Sequence, residues 1–189
     1  ISSIDKNIAL NISRLLRSGG LDNYRKFLNC LNYLVVDEKL IPDDFLNITF
    51  YADPYLHDWK NESGEKIGII SYKSLFLANE IEVNEKLNLQ LRKCGLSPKT
   101  FFISTLKDHI IQKKLIEIFK KEDIKLIITT TSFSSSQIKN NELIENSTNI
   151  FTSLKIPILQ LLSSNRSRKK WLNSSIGMNS SDLLMQIII

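Results

Sequence analysis

Hydroxyls dominate the residues that could do chemistry in this chain. They gather in Ser104-Thr105-Leu106-Lys107-Asp108, in Thr130-Thr131-Ser132-Phe133-Ser134 and in Ser163-Ser164-Asn165, while Tyr72-Lys73-Ser74 adds a phenol and an ammonium group. Such groups both donate and accept hydrogen bonds, and beside backbone N–H groups at helix starts they suit carboxylates or phosphates. The same residue types also cap ordinary helices, so capping competes with binding at each position. Acids, bases and nucleophiles in useful pairs are scarce. His57 and His109 have no second His, Cys or carboxylate at metal-ligand spacing. The chain has neither a Gly-rich phosphate loop nor a nucleophile elbow, so no catalytic residue and no metal ligand is assigned. Cys30 and Cys94 make no disulfide framework and read as buried thiols.

The elements that would carry these residues follow from periodicity. Residues 3–17 place Ile4, Ile8, Ile12, Leu15 and Leu16 on one helical face, and Gly19-Gly20 stops that helix. A second helix runs over 22–35 with Tyr24, Phe27, Leu28, Leu31 and Leu34 as its apolar stripe. Pro42-Asp43-Asp44 signals a turn, 46–51 a short strand, and 52–66 a polar loop. From Lys66 apolar runs alternate with helical patterns. Strands are expected at 67–72, 100–104, 126–130 and 157–162, with helices over 75–94, 108–121 and 140–154 and a left-handed cap at Gly95. Strands apolar throughout and separated by helices define a parallel sheet covered on both faces. The expected fold is α/β: a doubly wound, mostly parallel sheet of about four strands, preceded by an N-terminal helical pair. The organisation expected is a helical segment over 1–45, a connecting strand and loop over 46–66, and an α/β domain over 67–189 truncated at its C-terminus. In such sheets ligands bind beyond the carboxyl ends of the strands, which is where the hydroxyl clusters fall.

Composition sets the outer bounds. With 189 residues, 42% hydrophobic and 24% charged, the chain can bury a core. No apolar run approaches the roughly 18 residues of a membrane span, and no secretion signal opens the chain, so a soluble cytoplasmic protein is expected. The net charge is +5, concentrated in Arg166-Ser167-Arg168-Lys169-Lys170. One short run without interleaved aromatics argues against nucleic acid and for a solvated face or an acidic partner. The first residue is Ile, and the last three are Ile187, Ile188 and Ile189, which reads as a piece of a longer polypeptide.

Five pieces of the sequence, in order and spacing, resemble the large subunit of cobaltochelatase, in the family shared with magnesium chelatase. Ile158-Leu159-Gln160, Ser164, Ser167-Arg168, Trp171, Gly177 and Asp182-Leu183 with Met185 follow the family's "LQ … S … SR … W … G … DLAM". Ile67-Gly68-Ile69 with Tyr72, the turn 104–108, and 130–134 match further segments, and Gly19-Gly20 with Asn23 and Leu28 is similar to "GGPEN…NLL". There are departures: Leu77-Ala78-Asn79-Glu80-Ile81 stands where the family has a Leu-Ala-Gly-Asn-Thr-like stretch, and Asn165-Arg166 replaces a Gly pair. The resemblance implies a tetrapyrrole-binding subunit. Together with an ATPase and an accessory subunit it inserts Co²⁺ into hydrogenobyrinic acid a,c-diamide in aerobic cobalamin synthesis. ATP and Mg²⁺ then belong to a partner subunit, this chain holds no cofactor of its own, and nucleic acid and membrane are not partners. The alternatives are a magnesium chelatase large subunit acting on protoporphyrin, or a non-catalytic α/β ligand-binding or interaction module. The ring-binding candidates are Tyr72, Ser104, Lys107, Asp108, Thr130, Ser132, Phe133, Ser164, Arg168 and Trp171. For Trp171 two uses compete: a buried lock holding 165–183 onto the domain, which is preferred, and a flat apolar face offered to the ring.

Overall fold

The computed structural model describes residues 4–57, 63–131, 138–139, 142–143, 154–161 and 167–175. It divides into two units. One is built from Ile1–Ala52 together with Lys73–Glu82, the other from Asp53–Tyr72 and Val83–Ile189.

In the first unit, α1 (Lys6–Ser18) starts at Asp5, whose carboxylate accepts from the N–H of Asn7 at 2.8 Å and of Ile8 at 3.2 Å. It ends at Gly19 and Gly20, both at positive φ (65° and 86°), as the sequence implies. A side chain at Gly20 would also collide with the Tyr51 ring, 2.4 Å away. The second helix, α2 (Leu21–Val36), buries Asn23 and Cys30 rather than the expected Leu28, which is 58% exposed. Asn23 is fully buried because its amide is satisfied. Its Nδ2 donates to Gly19 O (2.8 Å) and Thr49 O (2.9 Å), and its Oδ1 accepts from Thr49 N (2.8 Å). One side chain thus ties the Gly-Gly turn to residue 49. The strand expected at 46–51 does not form. Leu46 instead ends the short helix α3 (Asp43–Leu46), where two acids lead the first turn. Ile12, Leu15, Cys30 and Ile41 form the core, with Phe27, Leu34 and Phe45 packed against it.

The helix expected over 75–94 is two helices, α4 (Lys73–Leu77) and α5 (Glu82–Lys93). Asn79 breaks it: φ is 61°, and Glu80 N bonds Leu75 O while Asn79 N bonds Phe76 O. This is the paired bonding of a Schellman stop.

The second unit is a five-stranded sheet. Its members are β1 (Tyr55–His57), β2 (Lys66–Tyr72), β3 (Ser97–Ile103), β4 (Leu126–Thr129) and a last strand at Ile158–Gln160, here β7. The order is β1-β3-β2-β4-β7, parallel except for β1, which pairs antiparallel with β3. All four expected parallel strands are present. The edge strand β1, with His57, lies in what the sequence read as a loop. Between β4 and β7, β5 (Ile138–Lys139) and β6 (Glu142–Leu143) pair antiparallel. That ladder replaces the start of the helix expected over 140–154. The rest of that expected helix, 140–141 and 144–153, lies outside the described residues.

Both faces are covered. On one, Ile67, Ile69 and Ile128 meet Leu87 and Leu91 of α5; on the other, Ile70, Phe101, Ile103 and Ile127 meet Ile111, Leu115 and Phe119 of α6 (His109–Glu122). Burying each large apolar side chain contributes about 1.5–3 kcal/mol, and this alternation fixes strand register. A Cβ at Gly68 would lie 3.3 Å from the Phe119 ring, so the bare glycine leaves α6 room to pack there. Lys99 is buried in the middle of β3. Its ammonium lies 3.7 Å from the Glu122 carboxylate, which Lys66 also holds at 3.1 Å.

Candidate functional site

The parallel strands β3, β2, β4 and β7 follow one another in the chain as first β2, then β3, then β4, so the direction of winding reverses between β2 and β4. That switch point is where a doubly wound sheet opens a crevice at its carboxyl edge. Polar side chains collect there. Thr130, just past β4, donates its N–H to Ile70 O (2.9 Å), and its Oγ1 lies 2.9 Å from Ser71 Oγ. The hydroxyls of Thr129 and Thr131 are hydrogen-bonded to each other at 2.8 Å, and Gln160 Nε2 donates to Thr131 O at 2.7 Å. Ser71, Thr129 and Thr131 are buried, against the apolar trend of their strands.

Of the sequence candidates, Tyr72 and Thr130 stand at this switch point, on adjacent strand ends. Ser104, Lys107 and Asp108 lie on the loop after β3, where Asp108 caps the helix that follows. Asp108 Oδ1 accepts from Ile110 N at 2.7 Å as the N-cap of α6, and Lys107 N donates to Thr105 Oγ1 at 3.1 Å. Ser104 N points to the Asp53 carboxylate (3.2 Å). Arg168 and Trp171 lie on the short helix α7 (Arg168–Leu172), capped by Ser167. Trp171 is 46% exposed, so the buried lock preferred from sequence is not what forms. A five-residue helix has no second turn to press the indole inward. Ser132, Phe133 and Ser164 lie outside the described residues, as do Gly177 and Ser180.

Ser71 and Thr129 escaped the sequence reading because it treated strand interiors as core; Thr131 and Gln160 entered it only as members of longer segments. The available signal was a hydroxyl interrupting each run of isoleucines, at Ser71 after Ile69-Ile70 and at Thr129 after Ile127-Ile128.

The site is chemically one of hydrogen bonding. Among the described residues, no group of three or more His, Cys, Asp or Glu is placed to hold a metal ion. His57 lies edge-on to Phe102, ring centroids 6.0 Å apart. The Cys30 thiol is pushed up by burial, with a backbone hydrogen bond working against the shift, so it stays protonated and inert. Cys94 is exposed, contrary to expectation, because it follows the last turn of α5 rather than facing its core. Among the described residues, no helix is long and apolar enough to cross a membrane.

Sheet order, covered faces and a polar carboxyl edge define a doubly wound α/β layer. The family follows from comparison: the sequence pattern of CobN/Magnesium Chelatase matches residues 13–189, and the chain belongs to that family. It is 28% identical over 207 aligned residues to an uncharacterised protein of Methanocaldococcus jannaschii, covering 97% of this chain and 17% of that protein. It is 24% identical over 184 residues to the aerobic cobaltochelatase subunit CobN of Pseudomonas aeruginosa, covering 92% of this chain and 14% of that one. The catalytic subunit of cobaltochelatase from Mycobacterium tuberculosis shares the fold, with a TM-score of 0.71 at 20% identity over 98% of this chain and 16% of that one. The chain therefore spans less than a fifth of the length of these relatives.

Proposed function

We propose that this chain works as part of the large, tetrapyrrole-binding subunit of a cobaltochelatase, and that its carboxyl edge forms a wall of the site for a corrin-type ring. The observation that carries the reading is the family match over 13–189, together with a polar edge suited to binding. Two relatives of known function are named for cobaltochelatase, which favours cobalt over magnesium. The substrate on this reading is hydrogenobyrinic acid a,c-diamide, whose carboxylates and carboxamides suit hydroxyl and amide donors. Co²⁺ is the second substrate.

Metal insertion needs groups that strip water from the ion and take protons from ring nitrogens. The described residues of the edge offer hydroxyls and amides instead, so that work is assigned to other parts of the enzyme. ATP hydrolysis with Mg²⁺ is assigned to an ATPase partner subunit, with an accessory subunit completing the complex. Here Tyr72 and Thr130 line the ring's edge, Ser104 and Lys107 flank it, and Arg168 with Trp171 supply a cation and a flat apolar face.

The test is a fluorescence titration of the chain with hydrogenobyrinic acid a,c-diamide, and in parallel with protoporphyrin. Saturable quenching by the corrin-type ring, at least tenfold tighter than protoporphyrin, is expected. The reverse preference would move the reading to a magnesium chelatase. Failure of both rings to bind would leave an interaction module.

A further inference from the structure

The helix α2 carries more apolar surface than its own unit uses. At 3.6 residues per turn, Asn23, Phe27, Cys30 and Leu34 fall within about 60° of one another around the axis. They face inward: Asn23 and Cys30 are buried, and Phe27 and Leu34 pack on the core that Cys30 shares with Ile12 and Leu15 of α1. A second apolar stripe, Leu21, Tyr24, Leu28, Leu31 and Val35, lies within about 80°, centred about 110° round the axis from the first. This stripe faces outward. Leu21 is 40% exposed, Leu28 58%, Leu31 39% and Val35 87%, and Tyr24 is partly buried. The single stripe read from the sequence is thus two, and only one of them meets the core. Isolated exposed leucines are ordinary, but a continuous stripe along about four turns marks a contact surface.

The spacing sets the shape of what covers it. Steps of three, four, three and four residues follow the 3.5-residue repeat of one helix packed on another at about 20°. Arg25, Asn29 and Asn32, all exposed, stand along the outer border of the stripe. The matching helix is therefore apolar on one side, with amides or an acid beside Arg25.

The size sets where that helix comes from. One stripe falls far short of the roughly 20–30 residues a side that hold a stable dimer. A helix of the same polypeptide can dock on so small a face, because it loses far less translational freedom than a free molecule. The relatives have such polypeptide to supply, since this chain covers only 14–17% of their length.

We infer that the outward stripe of α2 is the docking face for an amphipathic helix of the same large-subunit polypeptide, from outside these 189 residues. The inference rests on the chain being part of such a subunit, and not on which ring that subunit takes.

Carbene footprinting read by mass spectrometry tests it, on the 189-residue chain and on the complete large subunit alone. Leu28 and Val35 should label in the chain and lose most of that label in the complete subunit. Equal labelling in the two would overturn the inference. So would protection that appears only when an ATPase or accessory subunit is added. Analytical ultracentrifugation of the chain at micromolar concentration should show a monomer; a dimer that Leu28→Glu dissociates would make a second copy the occupant and overturn it. Leu28→Glu and Val35→Glu should leave the melting temperature of the chain within about 2 °C, as surface changes do, and lower that of the complete subunit. A large fall in the chain itself would return the stripe to the unit's own core and overturn the inference. Failure of ring binding in the titration above would leave these readouts unmoved, so the two readings fail separately.

Discussion

Replacing Asn79 by Ala should destabilise the protein, and replacing it by Gly should leave stability nearly unchanged. Three helices here stop by the same pair of bonds: α4 at Asn79, α5 at Gly95 and α6 at Asp123, with φ of 61°, 78° and 56°. The left-handed conformation costs an ordinary L-residue about 1–2 kcal/mol, Asn less and Gly almost nothing. Gly gives back about 0.4–1 kcal/mol through the entropy of its unfolded chain. The net expectation is a change near zero, within about 0.5 kcal/mol, for Asn79→Gly and a loss of about 0.5–1 kcal/mol for Asn79→Ala. At this chain length that is a change of less than about 2 °C for Gly and a fall of about 1–4 °C for Ala in melting temperature. The Asn79 side chain is exposed, so neither change disturbs packing. Gly95→Ala calibrates the series, because a Cβ at Gly95 meets nothing within 4 Å and only backbone strain is added. Calorimetry with urea titration at constant m-value reads the difference. If Asn79→Ala matched wild type while Gly95→Ala lost stability, the strain argument at 79 would be wrong. Ring affinity should be unmoved in the Gly variant, since the glycine of the family pattern is then a helix stop.

Trp171→Ala should cost less than about 1.5 kcal/mol rather than the 3–5 expected of a buried ring, while weakening ring binding. A large drop in melting temperature would restore the lock. Cys94 should react with a thiol reagent at once, whereas Cys30 should wait for unfolding. Its raised value makes the buried thiol a small stabiliser below the ordinary cysteine range that is lost as pH rises through it, and equal labelling rates would contradict this. The isolated chain should hydrolyse no ATP and bind Co²⁺ only weakly. Stoichiometric micromolar Co²⁺ binding that survives loss of both His57 and His109 would reveal a site overlooked here.

Periodicity made the parallel sheet readable because each strand is an apolar run between helical patterns. It could not find β1, since Tyr55-Leu56-His57 is too short to show alternation and gains its place only by pairing with β3. The single helix over 75–94 failed for a local reason, as the Asn79 stop is a backbone event inside a helical composition. At the site, the strand-end positions of Tyr72 and Thr130 followed from topology alone. Ser71 did not, because it follows the isoleucines of β2 and reads as part of their core. Asp108 looked functional and is a cap, which is the commoner use of such a residue.

The route of the chain through its two units has a consequence for synthesis on the ribosome. The first unit is completed by Lys73–Glu82, after the chain has already laid down β1 and β2. Gly20 N cannot reach Leu77 O, nor Lys73 the carbonyl of Tyr51, until that later stretch has left the exit tunnel. The N-terminal helices must therefore wait, partly exposed, while two strands of the next unit emerge without their neighbours. A slow codon run or a chaperone stop placed just after residue 82 would let the first unit close before β3 arrives. Cutting the gene between residues 52 and 53 would leave the first unit without its closing segment, Lys73–Glu82, which would travel with the second.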